Sequence, residues 1–199
     1  MSAWTRSVLV DGPEQTQALA ERLGGQLRAG DLLVLTGELG AGKTTFTQGL
    51  GRGLGVREGI ISPTFVLARR HPNRPDGPRP GGPGLVHVDA YRLSSAAEVD
   101  DIDLEDTMDA AVTVVEWGAG KVEHLADSRL EVVLERAVGA GSPDPQEPAE
   151  AGGLETPASL ADPPAGTGDD VIEEDAAAEP RRIILTGIGP RWAGGPPRL

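Results

Sequence analysis

The sequence contains no cysteine, and only two of its 199 residues are lysine. Without cysteine the chain has no disulfide framework, no thiolate metal site and no thiol nucleophile. No segment approaches the roughly 18 consecutive apolar residues of a membrane-spanning helix, and residues 1–7 lack the apolar run of a secretory signal peptide. These absences predict a cytoplasmic protein that does not bind a membrane.

The formal net charge of −13 is concentrated in one part of the chain. Residues 137–180 hold eleven acidic and no basic residues, so the other 155 residues carry 20 acidic against 18 basic side chains. This segment also has seven prolines and few large apolar residues. The apolar surface that it could bury is too small to offset the conformational entropy lost if the segment became ordered. We predict one α/β domain from residues 1–136 and 181–199, interrupted by a disordered acidic insertion at 137–180.

A glycine-rich motif occupies residues 37–44, whose sequence GELGAGKT matches the phosphate-loop pattern G-x-x-x-x-G-K-[ST] at every position. The apolar run at residues 32–36 predicts a buried strand before the motif, and residues 44–54 show helical spacing after it. Phosphate binding requires this order, because the glycines turn backbone N–H groups toward phosphate oxygens at a helix N-terminus. The motif therefore predicts a nucleoside triphosphate site.

The motif assigns separate roles to its residues. The Lys43 ammonium would reach the β- and γ-phosphates, and the Thr44 hydroxyl would bind Mg²⁺. The predicted cofactor-binding residues are Leu39, Gly40, Ala41, Gly42, Lys43, Thr44 and Thr45.

Hydrolysis needs a further group that places the metal and the attacking water. Asp89 follows the predicted strand 85–88, and Glu116 follows the predicted strand 112–115, both of them mostly apolar. Ligands of open α/β sheets bind at the carboxyl ends of strands, so both residues are candidates, although strand-end carboxylates that only cap loops have the same pattern. Residues 62–64, Ser-Pro-Thr, are a candidate γ-phosphate switch or a plain proline turn.

Residues 71–84 hold five prolines and four glycines, which predicts a long, mobile loop between two antiparallel strands. Arginines in and beside this loop could form the lid of a nucleotide kinase or belong to a solvated loop; they are Arg69, Arg70, Arg74 and Arg79. His87 and His124 lack partners at metal-ligand spacing, so we predict no metal other than Mg²⁺. No arginine finger is evident near the predicted nucleotide.

Four segments in order, GELGAGKTTFTQGLGRGLG, SPTFVL, HVDAYRL and VVEWG, resemble the TsaE family of small P-loop ATPases. The resemblance extends over residues 13–117 and resumes at the last two predicted strands. It implies a P-loop NTPase domain with a central, mainly parallel sheet completed by antiparallel strands. It also implies that Thr44 holds the metal, that Asp89 and Glu116 act as catalytic residues on the metal or the water, and that residues 62–64 form a switch-like loop in which Thr64 senses the γ-phosphate.

The TsaE resemblance further implies ATP and Mg²⁺ as cofactors, with weak hydrolysis that depends on the partner subunits TsaB and TsaD. The implied role is support of threonylcarbamoyl transfer to adenosine 37 of tRNAs that read ANN codons. The net charge of −2 outside residues 137–180 predicts only indirect contact with tRNA. Two alternatives are a small-molecule P-loop kinase and a nucleotide-gated binding module with little hydrolysis.

Overall fold

A computed structural model describes residues 2–57, 59–63, 67–136 and 179–199. Within these residues the strands are β1 Ser2–Val10, β2 Leu32–Thr36, β3 Ala68–His71, β4 Gly84–Asp89, β5 Ala111–Glu116, β6 Arg129–Arg136 and β7 Arg181–Ile188. The α-helices are α1 Pro13–Gly24, α2 Lys43–Leu54, α3 Ala96–Asp100 and α4 Glu105–Met108. Short 3-10 turns occupy Glu123–Leu125 and Pro190–Trp192.

In the part of the chain that the structure describes, seven strands form one sheet in the order β1-β7-β6-β2-β5-β4-β3. The strand β2 pairs in parallel with both β5 and β6, and β4 pairs in parallel with β5. The strands β1, β7 and β3 join antiparallel to their neighbours. This is the predicted P-loop NTPase fold, with a mainly parallel centre completed by antiparallel strands.

The central sheet is covered on both faces, which explains why its strands are continuous apolar runs. Alternate residues of a strand point to opposite faces, so Leu33 and Leu35 of β2 join the core beneath α1 and α2. Leu32 and Val34 join a second core with α3 and α4 on the other face. The carboxyl ends of the parallel strands β2, β4 and β5 therefore lie at the same edge of a sheet that is packed on both faces.

The observed elements differ from the predicted ones mainly at their ends. The helix α1 ends at Gly24 rather than near residue 28, because the backbone N–H groups of Gln26 and Leu27 bond to carbonyl oxygens only three residues back. The strand β1 begins at Ser2 rather than residue 7, since its first residues also pair with β7. The strand predicted at 65–68 begins at Ala68 in the described residues, and residues 64–66 lie outside them.

The strands β6 and β7 are antiparallel neighbours, and Arg136 of one lies opposite Arg181 of the other. Residues 137–180 therefore connect adjacent strands, as expected for an insertion into a hairpin. Residues 137–178 lie outside the described residues, so their disorder and the predicted domain boundaries stay predictions. No helix among the described residues has the length and apolar character needed to cross a bilayer.

Candidate functional site

The phosphate loop, residues 37–44, connects the end of β2 to the start of α2. Gly40 and Gly42 adopt positive φ angles of 78° and 99°, a region that residues with side chains rarely enter. A Cβ atom on Gly37 would lie 2.5 Å from the carbonyl oxygen of Leu134, so a side chain is sterically excluded there. Glycine at these positions lets the backbone form the turn that the motif predicts.

Lys43 is the first residue of α2, and its ammonium lies inside the site. The Nζ atom donates to the carbonyl oxygens of Gly37 at 2.8 Å and Glu38 at 2.9 Å. It also lies 3.8 Å from the ring centroid of Trp117, a cation–π contact. Burial lowers the pKa of Lys43, and the negative charge of the nearby Glu116 opposes this shift. Lys43 thus supplies a partly desolvated positive charge at the loop.

The structure brings Thr44 and Glu116 together. Thr44 Oγ1 donates a hydrogen bond to Glu116 Oε1 at 3.0 Å, although the two residues are 72 positions apart in the sequence. The same carboxylate oxygen lies 2.8 Å from Nε2 of His87, which is fully buried in β4. His87 was not predicted as a site residue, because its partner lies on the neighbouring strand.

Asp89 and Glu116 occupy matching positions at the ends of the parallel strands β4 and β5. Asp89 is buried and accepts hydrogen bonds from the Tyr91 backbone N–H at 2.9 Å and Ser62 Oγ at 3.4 Å. Ser62, the first residue of the predicted switch, therefore contacts one of the two predicted carboxylates. Thr64, the predicted γ-phosphate sensor, lies outside the described residues.

Two aromatic rings border the same edge of the sheet. The rings of Tyr91 and Trp117 meet edge to face with centroids 5.3 Å apart. Trp117 has a φ angle of 61°, which is uncommon for a bulky residue. Its backbone N–H donates to the carbonyl oxygen of Leu35 on β2, so the strained turn is held beside the phosphate loop.

On the β6 side of the loop, the structure places a pair of arginines that sequence reasoning missed. A Cβ atom on Gly40 would lie 3.1 Å from Nη2 of Arg136, and one on Gly42 would lie 3.6 Å from Nε of Arg181. The Arg181 Nε atom is buried and has no hydrogen-bond partner among the described residues. These contacts place both arginines beside the loop glycines, and the absence of an arginine finger stays a prediction.

The proline-rich segment after β3 is attached to the helices rather than to the phosphate loop. Arg79 donates to the carbonyl oxygens of Gly24 at 3.2 Å and Leu27 at 2.9 Å. Asn73 Nδ2 donates to the carbonyl oxygen of Leu54 at 2.8 Å. These bonds cap the ends of α1 and α2, which gives the segment a structural role and removes Arg79 from a kinase-like lid.

The candidate metal ligands of the site are oxygen atoms of Thr44, Asp89 and Glu116. No group of three His, Cys, Asp or Glu residues that could hold a metal ion occurs among the described residues. Mg²⁺ fits the donors that are present, because it prefers oxygen and usually takes one or two carboxylates together with phosphate oxygens and water. The glycine loop and the Lys43 ammonium likewise suit a polyphosphate.

Comparison with known proteins gives consistent results. The sequence model "Threonylcarbamoyl adenosine biosynthesis protein TsaE" matches residues 10–140. A TsaE protein of Streptomyces coelicolor is 46% identical over 176 residues, which cover 88% of this chain and 92% of the relative. A TsaE protein of Mycobacterium bovis is 50% identical over 129 residues, which cover 62% and 74%. The chain belongs to the TsaE family.

The crystal structure of YdiB from Bacillus subtilis has a fold similar to that of this TsaE-family chain. The two superpose with a TM-score of 0.58 at 27% sequence identity, over 96% of this chain and 90% of YdiB. The range matched by the TsaE sequence model contains the phosphate loop, Asp89, Glu116 and Trp117, whereas Arg181 lies beyond it. The matched range therefore covers most of the site and ends before one of its two flanking arginines.

Proposed function

We propose that this chain binds ATP with Mg²⁺ at the phosphate loop and hydrolyses it slowly. In the cytoplasm this activity would support threonylcarbamoyl transfer to adenosine 37 of tRNAs that read ANN codons. Membership of the TsaE family supports the pathway. The observation that carries the ATPase assignment is the hydrogen bond between Thr44 of the loop and Glu116 of β5, which joins a phosphate-binding element to a buried carboxylate.

The proposed division of labour follows from the position of each group. Backbone N–H groups of residues 39–45 and the Lys43 ammonium would neutralise the phosphate charge. Thr44 and Asp89 would hold Mg²⁺, which when bound stabilises charge on the β- and γ-phosphate oxygens. Glu116, which can also reach the metal, would orient the attacking water, and Thr64 would sense the γ-phosphate. Catalysis of phosphoryl transfer depends mainly on such positioning and charge stabilisation.

The proposed partners are the TsaB and TsaD subunits, through which the chain would act on tRNA indirectly. Three large apolar side chains next to site residues are exposed: Leu39 by 87%, Ile61 by 55% and Tyr91 by 64%. Exposed apolar groups at a functional site are typical of surfaces that another protein covers. Weak hydrolysis by the chain alone and faster turnover in a complex would follow from such an arrangement.

Calorimetry and phosphate release test the ATPase proposal. Lys43→Ala should abolish detectable ATP binding, because the buried ammonium is lost from the phosphate site. Glu116→Ala should bind ATP nearly as the wild type does and lose turnover. Arg182→Ala is the charge-matched control, since Arg182 is exposed and alternates with Arg181 along β7. Unchanged hydrolysis by Glu116→Ala would remove that residue from the mechanism.

Reconstitution tests the pathway role. TsaB and TsaD would be combined with tRNA and the other substrates, and modified tRNA would be counted over several catalytic cycles with and without this chain. The proposal expects that multiple turnover requires the wild-type chain and ATP. A yield that does not depend on the chain would contradict it.

The same proteins and nucleotides can distinguish ATP hydrolysis from two alternative functions. A nucleotide-gated binding module would support TsaB and TsaD association equally with ATP and a non-hydrolysable analogue, and turnover would not require hydrolysis. A small-molecule kinase would transfer phosphate to an added nucleoside instead of to water. The anchoring of Arg79 to α1 weighs against the kinase.

A further inference from the structure

His87 lies behind the predicted catalytic carboxylate, inside the central sheet. It is fully buried in β4, between β3 and β5. Its Nε2 atom lies 2.8 Å from Glu116 Oε1, whereas its Nδ1 atom is buried without a hydrogen-bond partner among the described residues. Apolar residues occupy most buried positions of these strands, so a buried imidazole with one unpaired nitrogen is unusual here.

The carboxylate determines how His87 must carry its proton. An ionised glutamate only accepts hydrogen bonds, so the bond to Glu116 requires a hydrogen on Nε2. The other ring nitrogen, Nδ1, has no hydrogen-bond partner among the described residues. Burying an unsatisfied polar atom costs about 1–3 kcal/mol, so packing alone does not account for a histidine at this position.

Glu116 Oε1 receives two hydrogen bonds, one from His87 and one from Thr44. Two donors on one oxygen fix the torsion of the carboxylate and leave Oε2 as the oxygen available to water or metal. Among the described residues, no hydrogen bond to Oε2 is present. His87 approaches from the sheet interior and Thr44 from the phosphate loop, so loss of His87 would leave Glu116 held from one side only.

We propose that His87 is a positioning residue for ATP hydrolysis, which holds the Glu116 carboxylate through its Nε2–H group. This inference rests on the proposed ATPase function. His87 is not a catalytic residue, because Glu116 and the backbone separate it from the phosphate loop. Removal of a residue that orients a metal-ligating side chain typically costs 10- to 100-fold in metal affinity or activity, and we expect a similar loss for a residue that orients Glu116.

Paired substitutions separate orientation from packing. His87→Leu removes the donor and fills the same space with an apolar side chain. His87→Gln can place its Nε2 amide donor at a similar distance from the backbone. We expect kcat for ATP hydrolysis to fall about 10- to 100-fold in His87→Leu, with the dissociation constant for ATP changed less than about threefold. His87→Gln should recover most of the lost rate. Measurements would use the full chain, alone and with its proposed partners.

Thr113→Val is the matched control. Thr113 is fully buried in β5, and its hydroxyl has no hydrogen-bond partner among the described residues, Glu116 included. This variant should hydrolyse ATP at the wild-type rate. Thermal unfolding of every variant would confirm that each remains folded at the assay temperature.

A spectroscopic readout is independent of hydrolysis. The chain has three histidines, so ring ¹⁵N resonances can be assigned by single substitutions. We expect the His87 ring to carry a hydrogen on Nε2 in the wild type, because the hydrogen bond to Glu116 needs this donor. Glu116→Ala should shift the His87 ring resonances, and Thr113→Val should leave them unchanged.

The outcomes distinguish this inference from the proposed function. A wild-type chain that neither binds nor hydrolyses ATP would overturn both. Active wild type together with active His87→Leu would overturn only the role of His87. Equal loss in His87→Leu and His87→Gln, or a ring protonated at Nδ1 alone, would also overturn it, because the donor to Glu116 would then not be what matters.

Discussion

Arg136 lies directly opposite Arg181 in the antiparallel ladder of β6 and β7, and both guanidinium groups border the phosphate loop. Like charges in directly opposed positions destabilise a strand pair. Arg136 has a carboxylate partner 3.7 Å away in Glu179, but the Arg181 Nε atom has none among the described residues. An anion beside Gly40 and Gly42 would relieve this repulsion.

The first prediction concerns the effect of these arginines on nucleotide affinity. Because β6 and β5 flank β2 on opposite sides, the arginines lie away from Glu116. Arg136→Ala and Arg181→Ala should each weaken ATP and ADP binding by similar factors, on the order of tenfold for a lost charged hydrogen bond. Turnover at saturating ATP should change little.

Calorimetry with both nucleotides and steady-state kinetics would check this prediction. Arg182→Ala, which removes the same charge from the same strand, should keep wild-type affinity. A fall in kcat without a change in affinity would contradict the prediction and would indicate an arginine that acts on the transition state instead.

The sequence predicted the parts of the site that depend on local pattern. The glycine loop needs only its own residues, and Asp89 and Glu116 could be placed because each ends an apolar run. His87, Arg136 and Arg181 could not be placed in this way. Their significance comes from neighbours on other strands, and which strands become neighbours is decided by the topology of the whole sheet rather than by spacing along the chain.

The second prediction tests the packing of α1 on α2. A Cβ atom on Gly53 would overlap the carbonyl oxygen of Glu21, so the two helices approach more closely than side chains allow. Gly53→Ala should lower the free energy of unfolding by about 2 kcal/mol or more, since the overlap forces the backbone apart. Urea denaturation would measure this loss.

Gly25 supplies the control for that measurement. It has right-handed helical backbone angles, and an added Cβ would lie 3.7 Å from the nearest atom, the Arg22 carbonyl oxygen. Gly25→Ala should therefore be neutral or stabilise the fold by about 0.4–1 kcal/mol through the unfolded state. Equal effects of the two substitutions would refute the packing argument.

The third prediction concerns the attachment of the C-terminal segment. Arg191 contacts the buried carboxylate of Asp31 through two nitrogens, at 2.8 and 3.1 Å. Arg191→Ala should cost about 2–4 kcal/mol of stability, because it leaves a buried charge without its cation. Arg129→Ala breaks a more exposed pair with Glu131 and should cost less than about 1 kcal/mol. Similar losses in the two variants would contradict this reasoning.

The fourth prediction is a pH dependence of stability that originates at His71. Burial lowers the pKa of His71, and the positive charge of Arg69 lowers it further. Its Nε2 atom is buried without a partner among the described residues, so protonation is poorly accommodated. In the unfolded chain the histidine pKa returns to about 6.5, and there the unfolded state binds more protons than the folded state. Stability should therefore fall as the pH drops through 6.5, until the lowered folded-state pKa is reached.

Urea denaturation at several pH values between about 5 and 8 would measure this dependence, since the histidine titrates in that range. His71→Gln cannot take up the proton, so its free energy of unfolding should decline less steeply below pH 6.5 than that of the wild type. Parallel curves for the two proteins would show that His71 does not contribute. A steeper decline in the variant would reverse the sign of the argument, because it would mean that protonated His71 stabilises the folded state.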